Sequence, residues 1–348
     1  MAIYKDFNIT SADSLVSSDV VTNVKDTVSS GMWADGASSI TTFFTSSTQS
    51  GSSADYYLDV YSANPQSDST AKPQFSVAYG HFNGSGSLGA VGVDGNRASA
   101  AIYRQLTNTL LGPTEEKFTF AGTGANTTPE YVYAISVARQ QLREKMDPGK
   151  WELHISGSGN KKYKFIDDSG ATTNPTVNQG GRVFNIVSGS IATGTAVTHK
   201  TATEQQGGAY GLFYPDLGIL VFNGPVLNTS ASLSTELGSN TNGDNSFKLF
   251  SKIASGSHFQ SRREEVITSQ HYFVRVPNQE FNFSANPTFA TASDGSFSIS
   301  SYYKNPKSFI TQVGLYNDSN ELLAVAKLSK PLLKSFSREA LIKVKLDF

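Results

Sequence analysis

Ala340-Leu341-Ile342-Lys343-Val344-Lys345-Leu346-Asp347-Phe348 is the stretch that decides the fold class. Successive side chains of an extended strand point to opposite faces. Ile342, Val344, Leu346 and Phe348 therefore share one face, and Lys343, Lys345 and Asp347 share the other. A helix would scatter these two sets around its circumference. The pattern describes a strand with one face on a core and one face toward solvent or a partner.

The same period recurs upstream. Phe309–Tyr316 and Glu321–Leu328 flank Asn317-Asp318-Ser319-Asn320, a loop of turn-forming residues, and read as a hairpin. Tyr272, Val274 and Val276 alternate, as do Phe281 and Phe283, and Phe297 and Ile299 follow an Asp294-Gly295 turn. Ala209–Tyr214 and Ile219–Phe222 enclose Pro215-Asp216-Leu217-Gly218, where proline presets the turn and glycine takes the left-handed position. Further strands are predicted at 56–61, 75–79, 131–137, 151–155, 163–166 and 183–187. Ala98, Ile102, Leu106 and Leu110 recur at helical spacing before Gly112-Pro113 and predict one amphipathic helix packed on a sheet. Phe247, Phe250 and Ile253 predict a short second helix ended by Gly256, and residues 226–245 read as a polar loop.

This distribution predicts a mainly β protein (α+β with a few short helices) built of antiparallel sandwich-like or barrel-like modules, with a C-terminal β-meander. The expected domains are residues 1–170, β-rich with the one helix; 171–260, a hairpin region with long polar loops; and 261–348, antiparallel β.

Composition narrows the function. The chain has 348 residues and 0 Cys, which excludes thiol catalysis and cysteine-ligated metal. Lys+Arg is 28 against Asp+Glu 29, so no basic excess points to nucleic acid. Charged residues are 16%, below the roughly 25% of an ordinary soluble domain. Uncharged polar residues take their place, and they suit wide protein contacts in which charge is costly to desolvate. No basic segment followed by an apolar stretch opens the sequence, so no secretory signal is expected, and no window is apolar for long enough to predict a membrane helix.

No catalytic or cofactor motif emerges. Gly84-Ser85-Gly86-Ser87-Leu88-Gly89 matches G-x-G-x-x-G literally but lacks a helix beginning within it, so a Gly/Ser loop is expected. His81, His154, His199, His258 and His271 show no H-x-H or H-x-x-x-H spacing, and no metal site is expected from them. His154 is expected to point to solvent, and His81 to be structural. Asp167-Asp168 before a glycine reads as a solvated turn, since the spaced calcium-loop pattern is absent. Lys161-Lys162-Tyr163-Lys164 reads as a solvated hairpin tip.

Two stretches carry a resemblance. Tyr272-Phe273-Val274-Arg275-Val276-Pro277-Asn278, continued by Glu280 to Phe289, is similar to virion structural proteins of large contractile-tailed phages, particularly the marine and cyanobacterial tevenvirus-like group. Ile310 to Leu328, with Gly314-Leu315-Tyr316-Asn317-Asp318 and Leu322-Leu323-Ala324-Val325-Ala326, resembles a hairpin of phage tail-fibre and baseplate-associated proteins. The likeness extends more loosely to residues 1–7, 147–153 and the 214–218 turn. It implies a non-enzymatic virion subunit, assembled in the host cytoplasm without cofactors. Its implied partners are tail or baseplate neighbours and further copies of itself, with neither nucleic acid nor membrane among them. A capsid decoration or neck protein, or a fibre-like module binding host glycan, are alternatives. The residues expected at an interface are Tyr316, Lys343, Lys345 and Phe348.

Overall fold

A computed structural model describes residues 20–46, 56–84, 99–122, 127–157, 161–171, 174–193, 209–233, 242–282, 296–297 and 301–347. The strands, in chain order, begin with β1 (Val20–Gly31), β2 (Ser39–Ile40), β3 (Phe44–Thr45), β4 (Leu58–Tyr61), β5 (Pro73–His81) and β6 (Tyr131–Val137). There follow β7 (Lys145–Met146), β8 (Glu152–Ser156), β9 (Lys162–Asp167), β10 (Thr176–Asn178), β11 (Gly181–Ser188) and β12 (Gly211–Tyr214). The last are β13 (Ile219–Asn223), β14 (Phe259–Gln260), β15 (Arg262–Val276), β16 (Ser308–Tyr316), β17 (Leu322–Lys334) and β18 (Ala340–Asp347). The helices are α1 (Ser99–Leu110), α2 (Arg139–Leu142), α3 (Gly224–Ala231), α4 (Asn242–Gly256) and α5 (Ser301–Lys304). The chain is mainly β, with antiparallel sheets, as the alternation predicts.

The chain divides into two compact units, residues 28–265 and residues 1–27 with 266–348. The expected boundary at 170/171 falls instead inside one sheet. β9 and β11, on either side of it, pair through Phe165–Asp167 and Ile186–Ser188, so residues on both sides belong to a single unit. The Gly/Thr/Asn-rich composition after Gly170 marks a turn and its short strand β10, which folds back on β11.

Residues 28–265 are organised by a 12-stranded sheet in the order β2-β14-β8-β9-β11-β12-β13-β6-β5-β4-β3, with β10 added beside β11. Alternation sorts its side chains onto two faces. Phe75, Val77, Tyr79, Tyr133, Ile135, Leu153, Ile155, Phe165, Phe213, Leu220 and Phe222 face inward. The sheet curls around α4, whose Leu249, Phe250 and Ile253 join that interior cluster, as do Trp33 and Trp151. Right-handed strand twist makes such curling natural in so wide a sheet. Of the three residues that predict this helix, Phe250 and Ile253 are buried and Phe247 is exposed, because the helix turns Asn245, Ser246, Leu249 and Phe250 inward.

The outer face of the central strands carries a second core. Val132, Leu212, Tyr214 and Val221 pack there with Tyr103 and Leu110 of α1 and with Phe118 and Phe120. The predicted helix is therefore present and packed on a sheet, and it ends where Gly112 takes φ 117°. Strands buried on both faces read as continuous apolar runs, which is why β12 and β13 lack polar alternation. The predicted hairpin turn closes with Gly218 N–H donating to the Tyr214 carbonyl at 2.9 Å, with Gly218 at φ 67°.

Among the longer elements, α3 and β1 lay hidden in the sequence. The polar loop expected from 226 begins as α3, with Asn223 as its cap and Pro225 in its first turn, and buries Val226, Leu227 and Ala231. The segment before residue 56, where no strand is predicted, holds the 12-residue strand β1 and the buried Met32 and Trp33.

In the other unit, the C-terminal strand alternates as predicted: Ile342 and Val344 are buried while Lys343 and Lys345 are exposed. It pairs with β15, Ser269–Val276 against Ala340–Asp347. β16 and β17 form a separate hairpin, so the C-terminal antiparallel strands are shared between two sheets. Leu315, Ile342 and Val344 form the centre of the core between them, with Tyr272, Ile310, Val313, Ala324 and Ala326 packed around it. A two-stranded ribbon is marginal alone, and this layering stabilises both.

Candidate functional sites

The expected interface residues fall in the C-terminal unit. Lys343 and Lys345 project from the outer face of β18. Lys343 Nζ lies 5.6 Å from the centre of the Phe273 ring, and Lys345 Nζ pairs with Asp347 at 3.1 Å. Ser269 donates to the same Asp347 carboxylate at 2.6 Å, and this hydrogen bond holds its acid strength above that of an ordinary aspartate. Tyr316 stands apart from these lysines in sequence and sheet, at the tip of the other hairpin, opposite Leu322. A methyl at Gly314 would lie 2.9 Å from the Tyr316 ring and 3.3 Å from Leu322 Cδ1, so both side chains cover that glycine on the outward face. Phe348 lies outside the described residues.

The C-terminal unit exposes several large apolar side chains. Phe309, Leu322, Leu323 and Val325 are all exposed, and on β18 Leu341 is too; Leu323 and Leu341 are each 68% exposed. Tyr316, Leu322, Leu323 and Val325 lie close together near the tip of the hairpin, while Phe309 sits at its base opposite Leu333, and Leu341 lies on the face of β18 turned away from Ile342 and Val344.

The sequence reading missed a polar cluster on the outer face of the curled sheet in residues 28–265. β8 turns Leu153 and Ile155 inward, so Glu152 and His154 face out together. β14 pairs with β8 through Phe259 and Leu153 and sets His258 beside His154, whose N–H donates to the His258 carbonyl at 2.9 Å. The approach depends on Gly256: a methyl there would sit 2.0 Å from the His154 carbonyl oxygen. Lys164, opposite His154 on β9, completes the group.

The contacts are close. His154 Nε2 lies 2.6 Å from Glu152 Oε1. Glu152 Oε2 accepts from Ser190 Oγ and from the Ile191 N–H, each at 2.8 Å. Lys164 Nζ lies 3.7 Å from Glu152 Oε1. The imidazoles of His154 and His258 are 4.5 Å apart between centres. Burial opposes the charge on Glu152, but hydrogen bonds from His154, Ser190 and Ile191 outweigh it and hold the carboxyl below its ordinary range. Burial, with the neighbouring His154, lowers the pKa of His258. The ligand atoms of Glu152, His154 and His258 all lie within 4.8 Å of one another. His154 therefore does not simply point to solvent, and the expectation of no metal-ligating group rested on spacing within one segment, whereas this group joins two strands.

His199 lies outside the described residues, and His81 and the Asp167–Asp168 pair hold the fold. His81 is buried, stacks on Tyr131, and its Nδ1 accepts from the Asn83 N–H at 3.1 Å. Asp167 and Asp168 do not form a solvated turn; they are 2% and 1% exposed. Asp167 accepts from the N–H groups of Gly149 and Ser169, and Asp168 from the backbone and side chain of Asn185. Burial, with the charge of Asp168 adding to it, raises the pKa of Asp167. Most of the G-x-G-x-x-G stretch lies outside the described residues.

No protein-family profile, curated protein or solved structure matches this chain. Among the described residues no helix is long and apolar enough to cross a membrane.

Proposed function

We propose that this chain is a non-catalytic structural subunit of a contractile-tailed phage particle, joining tail or baseplate neighbours and further copies of itself through its C-terminal unit. The observation that carries the assembly role is the group of exposed apolar side chains near the tip of the β16–β17 hairpin, Tyr316, Leu322, Leu323 and Val325. Apolar area of this sort is worth about 25 cal/mol per Å² when covered, and aromatic side chains such as Phe309 and Tyr316 anchor interfaces well. The low charge of the whole chain lowers the desolvation cost of broad contacts. The phage assignment rests on the resemblance of residues 272–289 and 310–328 to virion proteins.

The test is the double substitution Leu323→Lys and Val325→Lys, on exposed positions of the hairpin. Light scattering on the purified chain is expected to show the natural sequence self-associating and the variant dissociated, with unchanged circular dichroism. Particles assembled with the variant are expected to lack it. A natural chain that stays monomeric, together with normal incorporation of the variant, would overturn the reading. Immunogold labelling of particles separates a tail position from a capsid or neck position.

A further inference from the structure

The geometry points to a divalent transition-metal site of the zinc class on the outer face of the curled sheet, ligated by Glu152 Oε1, His154 and His258, with solvent completing the coordination. This inference is independent of the assembly role and concerns a different unit.

The donor set comes first. Two imidazoles and one carboxylate are the ligands that borderline divalent ions prefer, while calcium and magnesium demand mostly oxygen. The three ligand atoms lie within 4.8 Å of one another, a spread that one small ion can span with modest side-chain rotation. The Glu152–His154 separation of 2.6 Å is that of a direct hydrogen bond, and the ring must swing outward slightly to admit the ion.

Orientation comes second. Metal-binding groups are usually held by outer hydrogen bonds that fix which atom faces the ion. Glu152 has this arrangement: Ser190 Oγ and the Ile191 N–H occupy Oε2, leaving Oε1 turned toward the histidines. The carboxylate is largely buried, its side chain 5% exposed, so it has little freedom to turn away. The backbone fixes the histidines equally firmly. His154 N–H to His258 carbonyl locks β14 against β8, and the close approach at Gly256 leaves little room for another register.

One group opposes a cation, Lys164, at 3.7 Å from Glu152 Oε1. Its side chain is 46% exposed on a flexible stem, so it can withdraw to solvent when a divalent ion takes over the neutralisation of Glu152. This makes a directional prediction that a merely structural Glu–His–Lys cluster does not share: removing Lys164 strengthens metal binding.

The function of such a site is a clasp. It ties the turn leaving α4, the strand β8 and the 190–191 loop at one point, and binding free energy becomes folding stability.

The experiment uses the full chain, stripped with a chelator, dialysed and titrated with zinc chloride by calorimetry. About one equivalent of zinc is expected to bind, with a thermal midpoint that rises with zinc concentration, while magnesium chloride has no effect. Cobalt chloride is expected to give the visible absorption of a low-coordinate nitrogen/oxygen site. His258→Ala and His154→Ala are expected to abolish both signals, and Ser190→Ala to weaken binding by about 10-fold. Lys164→Ala is expected to tighten it. Circular dichroism identifies any variant that fails to fold, and Lys164→Ala, on an exposed side chain, keeps the test open in that case. Absence of zinc binding, or binding unchanged in a folded His154→Ala/His258→Ala double variant, would overturn the assignment.

Discussion

The rings of Phe75 and Phe259 meet edge to face with 5.4 Å between their centres, although their strands, β5 and β14, stand near opposite ends of the 12-stranded sheet. Such a contact requires the sheet to curl nearly onto itself. Trp33 sits in the same place, 4.7 Å from Phe259 and 6.1 Å from Phe75. The closure thus depends on three aromatic side chains from distant parts of the chain.

Phe259→Ala is therefore expected to cost about 3–5 kcal/mol, the range for a large aromatic lost from a packed core. Urea unfolding measures the loss, and the emission of Trp33 should shift to longer wavelength as water enters. A loss below about 1 kcal/mol would mean that the sheet ends close by other contacts.

A second device ties the turns. Arg182, at the start of β11, grips Asp216 in the β12–β13 turn: Nη2 to Oδ1 at 2.9 Å, Nε to Oδ1 at 3.2 Å, and its own N–H to Oδ2 at 2.8 Å. Burial raises the Asp216 pKa, but the hydrogen bonds and charge of Arg182 outweigh it and bring it below the ordinary value. A carboxyl depressed in the folded state stabilises the fold above its unfolded pKa of about 3.9, and that contribution is lost as the pH falls through the lower, folded value. Nearly a third of each side chain is exposed, 30% and 32%, so solvent screening limits the effect to about 1 kcal/mol. Asp216→Asn is expected to lower stability at pH 7 by that amount and to flatten the stability profile on the acid side. Thermal melts across that range check both. An unchanged acid limb would show that other carboxylates govern it.

The buried pair beside the β9 turn predicts a different outcome from the solvated turn that its sequence suggests. Asp168 receives both the backbone N–H and the side-chain Nδ2 of Asn185, each at 2.8 Å. Asp168→Ala leaves those donors unmatched in a dry environment and is expected to cost about 1–3 kcal/mol, far more than a surface carboxylate. Chemical denaturation of the variant beside an exposed control, Asp318→Ala, measures the difference. Equal effects would place Asp168 in contact with water.

These cases show which parts of the structure were legible. β18, β6 and the β12–β13 hairpin could be read because burial on one or both faces writes its period directly into the sequence. The exposed apolar side chains near Tyr316 were not legible, because the alternation of a hairpin does not say which residues its core will cover. β1 was not, because a long polar strand carries no alternation, and α3 was not, because its Asn223 cap and Pro225 look like the start of a loop. The Glu152–His154–His258 group was invisible for a further reason. One pair is adjacent on a strand, but its third member arrives only when β14 docks on β8, and no spacing rule anticipates a register. The strand's alternation does show that Glu152 and His154 share one face, opposite the core residues Leu153 and Ile155.

Lys334 offers a last prediction, in the C-terminal unit. It is fully buried at the end of β17, yet its ammonium is well supplied with acceptors: the Asn278 carbonyl at 3.1 Å, Asn282 Oδ1 at 2.9 Å and the Ser335 carbonyl at 3.3 Å. Burial pulls its pKa below the ordinary lysine value, and the charges of Glu280 and Glu339 only partly counter this. The side chain thus fastens the 278–282 segment to the end of the hairpin. Lys334→Met keeps the length of the stem and removes the donors, leaving those oxygens without their cation, and is expected to cost about 1–3 kcal/mol. The loss should be local. Hydrogen exchange is expected to accelerate at 278–282 and along β16–β17, while amides in β12 and β13 keep their protection. Uniform acceleration in both units, or none in either, would show that Lys334 does not act as this fastening.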